Sequence, residues 1–579
     1  MPPLGGRMEI NMKIKVSDYI VERLHEEKID IIFGYQGGNI SHLIDSIGNS
    51  SSVKFVENYH EQGAAFAANS YAQVNETIGV AVASSGPGAI NLLNGIANAF
   101  CDSIPCLFFT GDVNTTAKKK NGSCRQNAFQ EINILPMAVP ITKYCVSITS
   151  ANDIVDELDK GIQIAKSGRK GPVLINLPHD IQRTIIETNT TKRKSYKESA
   201  MIDSSIFEKV LQVLSCAKRP VIIVGGGMRS SQSKKLLKKL LDTTAMPVVS
   251  SLLGLDVISH DHFCYRGMIG SYGNRGANLC LKYSDCILAL GTRLDDRQIG
   301  TNDIVQFENK KIIHVDIDIH EIENKLDEDI SIVGEVSQFL EKLILEDIGR
   351  NVYSEWLALS KKISEKYISY EQNPKEMHPN DFIRKLSEST KGVYTLDVGN
   401  NQMYSAQSLF VGEDELILSS GGLGAMGYSL PAAIGASLSK KIKKVYCITG
   451  DGGLQMNLQE LQTINVHQLP INIIVLNNNA LGMIYDLQTK MFSNRFFGTI
   501  KGYSAPDFSK IAKAYNFKYF KVNDVEDYEK AIELLKAELQ VFVEMKIDVT
   551  IKTNPDPGNG IFEQSPFVDQ EDLYFLRGV

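Results

Sequence analysis

Short apolar runs alternate along this chain with longer stretches in which apolar residues recur every three or four positions. Unbroken runs rich in Val, Ile and Phe predict strands buried on both faces, and the three-to-four period predicts amphipathic helices. From about residue 13 to 185 the runs "IDIIFGY", "VKFVEN", "GVAVASS", "PCLFFTGD" and "GPVLINLP" predict strands with helices between them. A second series follows in "PVIIVGGG", "MPVVSS", "CILALGTR" and "KIIHVDID". In the last third "VYCIT" and "INIIVLN" flank "LQMNLQELQTINVHQL", which reads as one amphipathic helix and completes a βαβ unit. Such alternation predicts parallel sheets with helices on both faces. The expected fold class is therefore α/β, with three doubly wound domains, each built on a mainly parallel sheet. They should span residues 13–187, 203–348 and 376–550. The charged segment "ETNTTKRKSYKESAMIDSS" predicts a linker between the first two, and residues 349–380 predict charged helix. The tail, 551–579, is rich in Pro, Gly and acids and is expected to be mobile, serving as a lid. The first dozen residues read as an extension ahead of the fold, with Met8 and Met12 as alternative starts.

Composition narrows the function classes. The chain has 579 residues, of which 43% are hydrophobic and 22% charged, so each segment can bury its own core. A formal charge of −7 without a long basic run argues against a nucleic-acid partner. No apolar run reaches membrane-spanning length, and "MPPLGGRMEINMKIK" lacks a signal-peptide core. The nine cysteines are scattered without CxxC spacing, which predicts reduced thiols and a cytoplasmic location.

Candidate chemistry concentrates in that last βαβ unit. Gly450-Asp451-Gly452 and Asn477-Asn478 lie 24 residues apart, at the carboxyl ends of neighbouring parallel strands, where open α/β sheets bind ligands. A carboxylate and a carboxamide there offer two oxygen ligands to a hard cation such as Mg²⁺, which completes its octahedron with phosphate oxygens and water. Glycines at such a turn let the backbone approach a phosphate closely. The spacing thus predicts a diphosphate cofactor held through a metal ion. Earlier in the chain, Glu61 begins an Ala-rich helix directly after a strand, where a helix dipole by itself would account for an acid. In "VIIVGGGMRSS" a strand runs into Gly225, Gly226 and Gly227, a turn on which a pyrophosphate can rest against backbone amides.

These segments together resemble the thiamine diphosphate (ThDP) enzymes, and within them the acetohydroxyacid (acetolactate) synthases. "GGNI", "HEQGAAFAANSYA", "SSGPGAINLLNGIANAFCDSIPCLFFTGD", "NAFQEINI" and "GPVLINLPHDIQ" resemble that family's pyrimidine-binding domain. "GGGM", "RGMIGSYGN", "ALGTRLDDRQIGT" and "IIHVDIDIHEI" are similar to its central domain. "LDVGNNQMYSAQ", "GGLGAMGYSLPAAIGAS", the metal motif and "LGMIYDLQ" resemble its diphosphate-binding domain. The resemblance implies that Glu61 hydrogen-bonds a pyrimidine nitrogen of ThDP and promotes its imino tautomer, with Gly38, Pro87 and Asn91 lining the cofactor or acceptor side. Gln130 would reach the substrate. Asp451, Asn478 and the backbone carbonyl of Ala480 would hold Mg²⁺. Val398, Gly399, Asn400, Asn401, Gly424, Gly452, Gly453, Gly482 and Met483 would surround ThDP, and Met426 would wedge under it and bend it. Gly225, Gly226, Gly227, Arg293, Arg297 and Asp316 would form an FAD site; an empty, structural central domain is the other reading.

The activity implied is decarboxylation of a 2-oxo acid, most simply pyruvate, and carboligation of the hydroxyethyl unit to an acceptor carbonyl. A homodimer or homotetramer would be the working form, a regulatory subunit an added partner, and nucleic acid and membrane excluded. Simple decarboxylation, oxidation to an acetyl product, or a silent cofactor-binding subunit are the rival readings. The departures from the family pattern cluster around the acceptor. Leu487 stands at the tryptophan of "LGMVxQW", His179 at the lysine of "PKD", and Ser271-Tyr272 at a Met-His pair. Asn400-Asn401 replaces Gln-His, and Gln36 replaces a proline. A wider, more polar pocket would admit another acceptor, such as a nucleotide-linked keto-sugar.

Overall fold

A computed structural model of the protein describes residues 12–117, 125–188, 202–346, 348–367, 376–558 and 560–565. A short antiparallel ribbon joins β1 (Met12–Lys15) to a later strand and opens the chain. The first large sheet contains β2 (Ile31–Gly34), β3 (Lys54–Glu57), β4 (Gly79–Ala83), β5 (Cys106–Asp112), β6 (Tyr144–Ser147) and β7 (Pro172–Pro178). Its order is β3-β2-β4-β5-β7-β6, and β8 (Ile185–Thr188) returns to pair with β1. The second sheet is built from β9 (Pro220–Val224), β10 (Val248–Ser250), β11 (Tyr265–Met268), β12 (Cys286–Leu290), β13 (Lys311–Asp316) and β14 (Ile330–Val333), in the order β11-β10-β9-β12-β13-β14. The third holds β15 (Val393–Leu396), β16 (Leu416–Ser419), β17 (Val445–Gly450), β18 (Ile471–Asn477), β19 (Lys518–Val522) and β20 (Val541–Lys546), in the order β16-β15-β17-β18-β20-β19. Every pairing within the three six-stranded sheets is parallel. The expected fold class of three mainly parallel, doubly wound sheets is what the chain adopts.

The central strands carry no alternation because both faces are covered. All residues of β5, β7, β9, β12 and β18 are buried. Two compact units result. One gathers the described residues through 188 with 422–441 and 457–469; the other contains the second and third sheets.

Each sheet reverses its winding near its middle, and such a reversal leaves two adjacent strands whose following loops part to opposite faces. In the first sheet the reversal falls between β2 and β4, in the second between β9 and β12, and in the third between β15 and β17. The glycine-rich segments singled out in the sequence follow these six strands.

The structure departs from the sequence expectations in places. The stretch expected as one helix is broken into Asp451–Met456, a 3₁₀ turn Leu458–Glu460 and Leu461–His467. The break falls at Asn457, whose side chain leaves the helical pattern to donate to the Gly427 carbonyl at 2.7 Å. Of the expected linker, Glu187 and Thr188 belong to β8, and 189–201 lie outside the described residues. The tail as far as Ser565 is tied down: Ile561 is fully buried, its amide donates to Asp303 at 2.6 Å and its carbonyl accepts from Asn278 at 3.0 Å. Residues 1–11 and 566–579, which carry the expected extension and about half of the expected lid, are outside the described residues.

Candidate active site

In the first unit the loops after β2, β3 and β4 converge. Gly37 lies so close to Ser84 that an added Cβ would stand 2.5 Å from the serine Cβ, and Asn39 donates to Ser85 Oγ at 2.5 Å. Next to this contact Gly38 faces open space. After β3, His60 caps the helix Glu61–Asn75 by accepting from the Gln62 amide at 3.1 Å, which fixes Glu61 as its first residue. After β4, Gly86 adopts φ +62° and Pro87 starts the helix Pro87–Cys101. One turn on, Asn91 donates to Glu61 Oε2 at 3.0 Å, and Gly88 leaves room for Glu61 Oε1. Gln130 approaches through its backbone: a Cβ on Gly86 would meet the Gln130 carbonyl at 2.7 Å. Glu61, Pro87, Asn91 and Gln130 are thus brought together. Gly424, at φ +70°, and half-buried Met426 lie in an irregular segment of the same unit, steadied by the Asn457–Gly427 bond.

In the second unit, β15 and β17 supply the other candidate cluster. Gly399 turns at φ +115° into the helix Asn400–Ser408. Buried Asp397 accepts from the Val398 amide at 2.9 Å, and only a glycine fits at 453, where a Cβ would come 2.6 Å from Asp397 Oδ1. Asp451 opens the next helix almost fully buried. Tyr503 donates to its Oδ2 at 2.9 Å, and burial pushes its carboxyl up to about 6. Asn478, just past β18, accepts from the Ala480 amide at 3.1 Å. A Cβ on Gly482 would stand 2.6 Å from the Asn478 amide nitrogen and 3.0 Å from that of Asn400. Val398 through Asn401, Asp451 through Gly453, Asn478, Ala480, Gly482 and Met483 therefore share one edge of the third sheet.

This donor set suits a cofactor-linked cation. Among the described residues no group of three or more His, Cys, Asp or Glu side chains could hold a metal ion. One carboxylate, one carboxamide and a carbonyl complete an octahedral shell only with oxygens from a bound phosphate and water. Asn401 Oδ1 is moreover buried without a hydrogen-bond partner.

The central-domain residues gather around the reversal of the second sheet. A Cβ on Gly225 would lie 2.2 Å from the Gly291 carbonyl, and one on Gly227 would lie 2.8 Å from the Gly291 Cα, so these two glycines let the loops after β9 and β12 touch. Gly226, by contrast, keeps ordinary space around it. Arg293 pairs with Asp295 at 3.0 Å, Arg297 reaches Met403 Sδ at 3.5 Å, and Asp316 ends β13 accepting from the Asp318 amide.

The sheets and their loops have counterparts in known proteins. Residues 14–137 match the N-terminal TPP binding domain of thiamine pyrophosphate enzymes, 207–343 their central domain and 397–545 their C-terminal TPP binding domain. The acetolactate synthase large subunit of Lactococcus lactis is 34% identical over 537 residues, covering 92% of each chain. The family is settled by that match. The chain belongs to the acetolactate synthase large-subunit family. The isozyme 3 large subunit of Escherichia coli is 32% identical, covering 92% of this chain and 94% of that one. A probable acetolactate synthase large subunit of Methanocaldococcus jannaschii is 36% identical over 87% of both. The family's two ThDP-binding domains are thus the first and third sheets here.

Within this family framework several side chains that sequence reading passed over now stand out. Glu460 is fully buried, held by Asn58 at 2.8 Å and Thr463 at 3.1 Å on the same oxygen, beside the helix that Glu61 begins. A carboxyl at an apolar helix position was its only signal. Tyr503, 52 residues from Asp451, gave none. Asp486 lay inside a quoted motif and proves to accept from Asn400 at 3.2 Å. Of the departing residues, Leu487 is exposed and the His179 ring lies 4.6 Å from that of His42, tilted by 42°.

Proposed function

We propose that this protein is a ThDP- and Mg²⁺-dependent carboligase that decarboxylates pyruvate, or a close 2-oxo acid, and joins the two-carbon unit to an acceptor carbonyl. The observation that carries the reading is the placement of Asp451 and Asn478 on adjacent strand ends, in a chain that matches acetolactate synthase large subunits over nine-tenths of its length. Asp451, Asn478 and the Ala480 carbonyl would hold the cation. Val398, Gly399, Asn400, Asn401, Gly452, Gly453, Gly482 and Met483 would enclose the diphosphate, and Asn401 Oδ1 would find there the partner it lacks. When bound, ThDP supplies the electron sink for loss of CO₂.

The protein's own part is to bind, orient and move protons. Glu61, held by Asn91, would give and take a proton at the cofactor's pyrimidine nitrogen, work that needs a carboxyl fixed within hydrogen-bond reach. Gly38, Pro87, Gly424 and Met426 would line the cofactor, and Gln130 the substrate. Arg297 suits a substrate carboxylate, since a planar guanidinium grips one bidentately. Gly225, Gly226, Gly227, Arg293 and Asp316 would cradle FAD in a structural role. A homodimer is the proposed working unit, with pyrimidine and diphosphate halves meeting across subunits. The relatives' name, large subunit, makes a smaller chain the candidate regulator. No helix among the described residues is long and apolar enough to cross a membrane, and cysteines scattered without CxxC spacing fit a cytoplasmic enzyme.

Purified protein given pyruvate, ThDP and Mg²⁺ should release CO₂ and form a ligated product seen by mass spectrometry. Glu61→Gln should lower that rate by about 10²- to 10⁴-fold. Aldehyde alone would mark a decarboxylase, and oxygen uptake with acetate or acetyl phosphate an oxidase. Equal background rates in wild type and variant would mark a silent subunit.

A further inference from the structure

Behind the metal motif lies a buried carboxylate that belongs to none of the ligand candidates. Strands β18, β20 and β19 run side by side, with Val475 level with Glu544 and Tyr519 level with Phe542. Side chains alternate along a strand, so Asn477, Glu544 and Tyr519 share one face of the third sheet. Glu544 is only 4% exposed and sits in the otherwise apolar run Val541–Met545. A carboxylate so placed is costly unless donors surround it. Asn477 Nδ2 donates to its Oε1 at 2.6 Å, Lys546 Nζ lies 3.0 Å from the same oxygen, and the Tyr519 hydroxyl donates to Oε2 at 2.5 Å. Burial by itself would raise the carboxyl, but these hydrogen bonds hold it below its usual range, so it remains an acceptor.

An acceptor-only partner decides which end of a carboxamide it meets. With Nδ2 turned to Glu544, Asn477 Oδ1 accepts from the Asn479 amide at 2.9 Å. That bond closes a turn in which Asn479 adopts φ +52°, a left-handed conformation that asparagine tolerates. Two further bonds hold the turn: the Asn477 carbonyl accepts from the Ile547 amide at 2.9 Å, and Asn479 Oδ1 from the Ala505 amide at 2.8 Å. Between the two fixed asparagines stands Asn478, with Ala480 just beyond. Asn478 Oδ1 spends one lone pair on the Ala480 amide and keeps another. A glutamine at 544 could offer its own NH₂ and turn the Asn477 carboxamide over. Two N–H groups would then face each other at Asn479.

We propose that Glu544 is a positioning residue for the cation: through Asn477 it sets the turn that aims Asn478 and the Ala480 carbonyl. The proposal rests on the metal assignment made above. Glu544 itself touches neither cation nor cofactor.

The test reads metal affinity rather than turnover. Protein stripped of metal and cofactor is titrated with Mn²⁺ at a fixed excess of ThDP, and free Mn²⁺ is followed by electron paramagnetic resonance. Glu544→Gln should raise the Mn²⁺ dissociation constant by about tenfold or more, as loss of a partner behind a metal ligand does. Asn477→Ala should do the same, giving a second variant should the first fail to fold. Combining Glu544→Gln with Asn477→Asp reverses the polarity of the bond at unchanged net charge. The new amide donates to the new carboxylate, which still accepts from the Asn479 amide. This double variant should recover to within about threefold of wild type, a coupling that a general loss of packing does not produce. Wild-type affinity in Glu544→Gln, or a double variant no tighter than the single ones, overturns the positioning role alone. Wild type that takes up ThDP with no need of a cation overturns it together with the metal assignment.

Discussion

Replacing Glu460 by Gln should remove most of a pH-dependent loss of stability. The side chain is fully buried, two donors (Asn58 and Thr463) share its Oε2, and its Oε1 has no hydrogen-bond partner. Gly63, in the first turn of the helix begun by Glu61, leaves space for that oxygen, since a Cβ there would come inside van der Waals contact with it. Burial pushes the carboxyl up to about 7 from an ordinary 4.5, and the hydrogen bonds from Asn58, Thr463 and nearby amides only partly offset this. Between those two values the folded protein keeps a proton that the unfolded chain has released. Stability therefore falls as pH rises through that window and is lowest above it. The full difference corresponds to about 3 kcal/mol. Glutamine has the same size, still accepts from Asn58 or Thr463, and does not titrate. The assay is the thermal midpoint at pH 5 and pH 8, with hydrogen exchange of the Glu61–Asn75 amides followed in parallel. Other groups titrate in this range, so the quantity read is the difference between the two proteins' pH 5 to pH 8 changes. Wild type should lose more stability over the interval, and the Glu61 helix should open more readily at pH 8 in wild type than in the variant. An identical fall in both would refute the assignment of a protonated, desolvated carboxyl.

Other outcomes follow from the same geometry. Asp451→Ala should abolish Mg²⁺-dependent ThDP uptake in calorimetry, and chelation of the metal should do the same reversibly in wild type; tight retention by the variant removes the metal assignment. Burial alone would raise the Asp256 carboxyl, but Arg229, at 2.6 Å, holds it below its usual range. Arg229→Met, which leaves that charge unpaired, should cost about 3–5 kcal/mol in chemical denaturation, and pairing it with Asp256→Leu should recover much of the loss. Purified protein should be yellow with a flavin spectrum, and a colourless preparation with full activity would defeat the FAD site.

Much of this was legible in the residues because it is local. A run such as "INIIVLN" has no polar face to turn to water, so it becomes a central strand wherever it is placed, and β18 is buried throughout. Glycine-rich turns after strands announced where loops crowd together at the ends of the three sheets, because a backbone that must pass close to another loop tolerates no Cβ. What the glycines touch was another matter: Gly225 and Gly227 serve the close approach of Gly291, while Gly226 has only ordinary contact with Leu253. The single helix expected after "GDGG" failed for a related reason. Its periodicity is genuine, yet Asn457 gains more from the Gly427 carbonyl 30 residues away than from helical geometry.

By itself, then, the order of residues determined the three parallel sheets and the placing of Asp451 and Asn478 at the ends of neighbouring strands, since each depends on burial periodicity or on neighbouring strands. Only the tertiary structure decided which groups meet across long separations. The Glu61–Asn91 bond, the Tyr503 phenol on Asp451, the Asp486–Asn400 pair and the stranded carboxyl of Glu460 all join elements remote in sequence. Their energies and protonation depend on desolvation and distance, which no local pattern encodes.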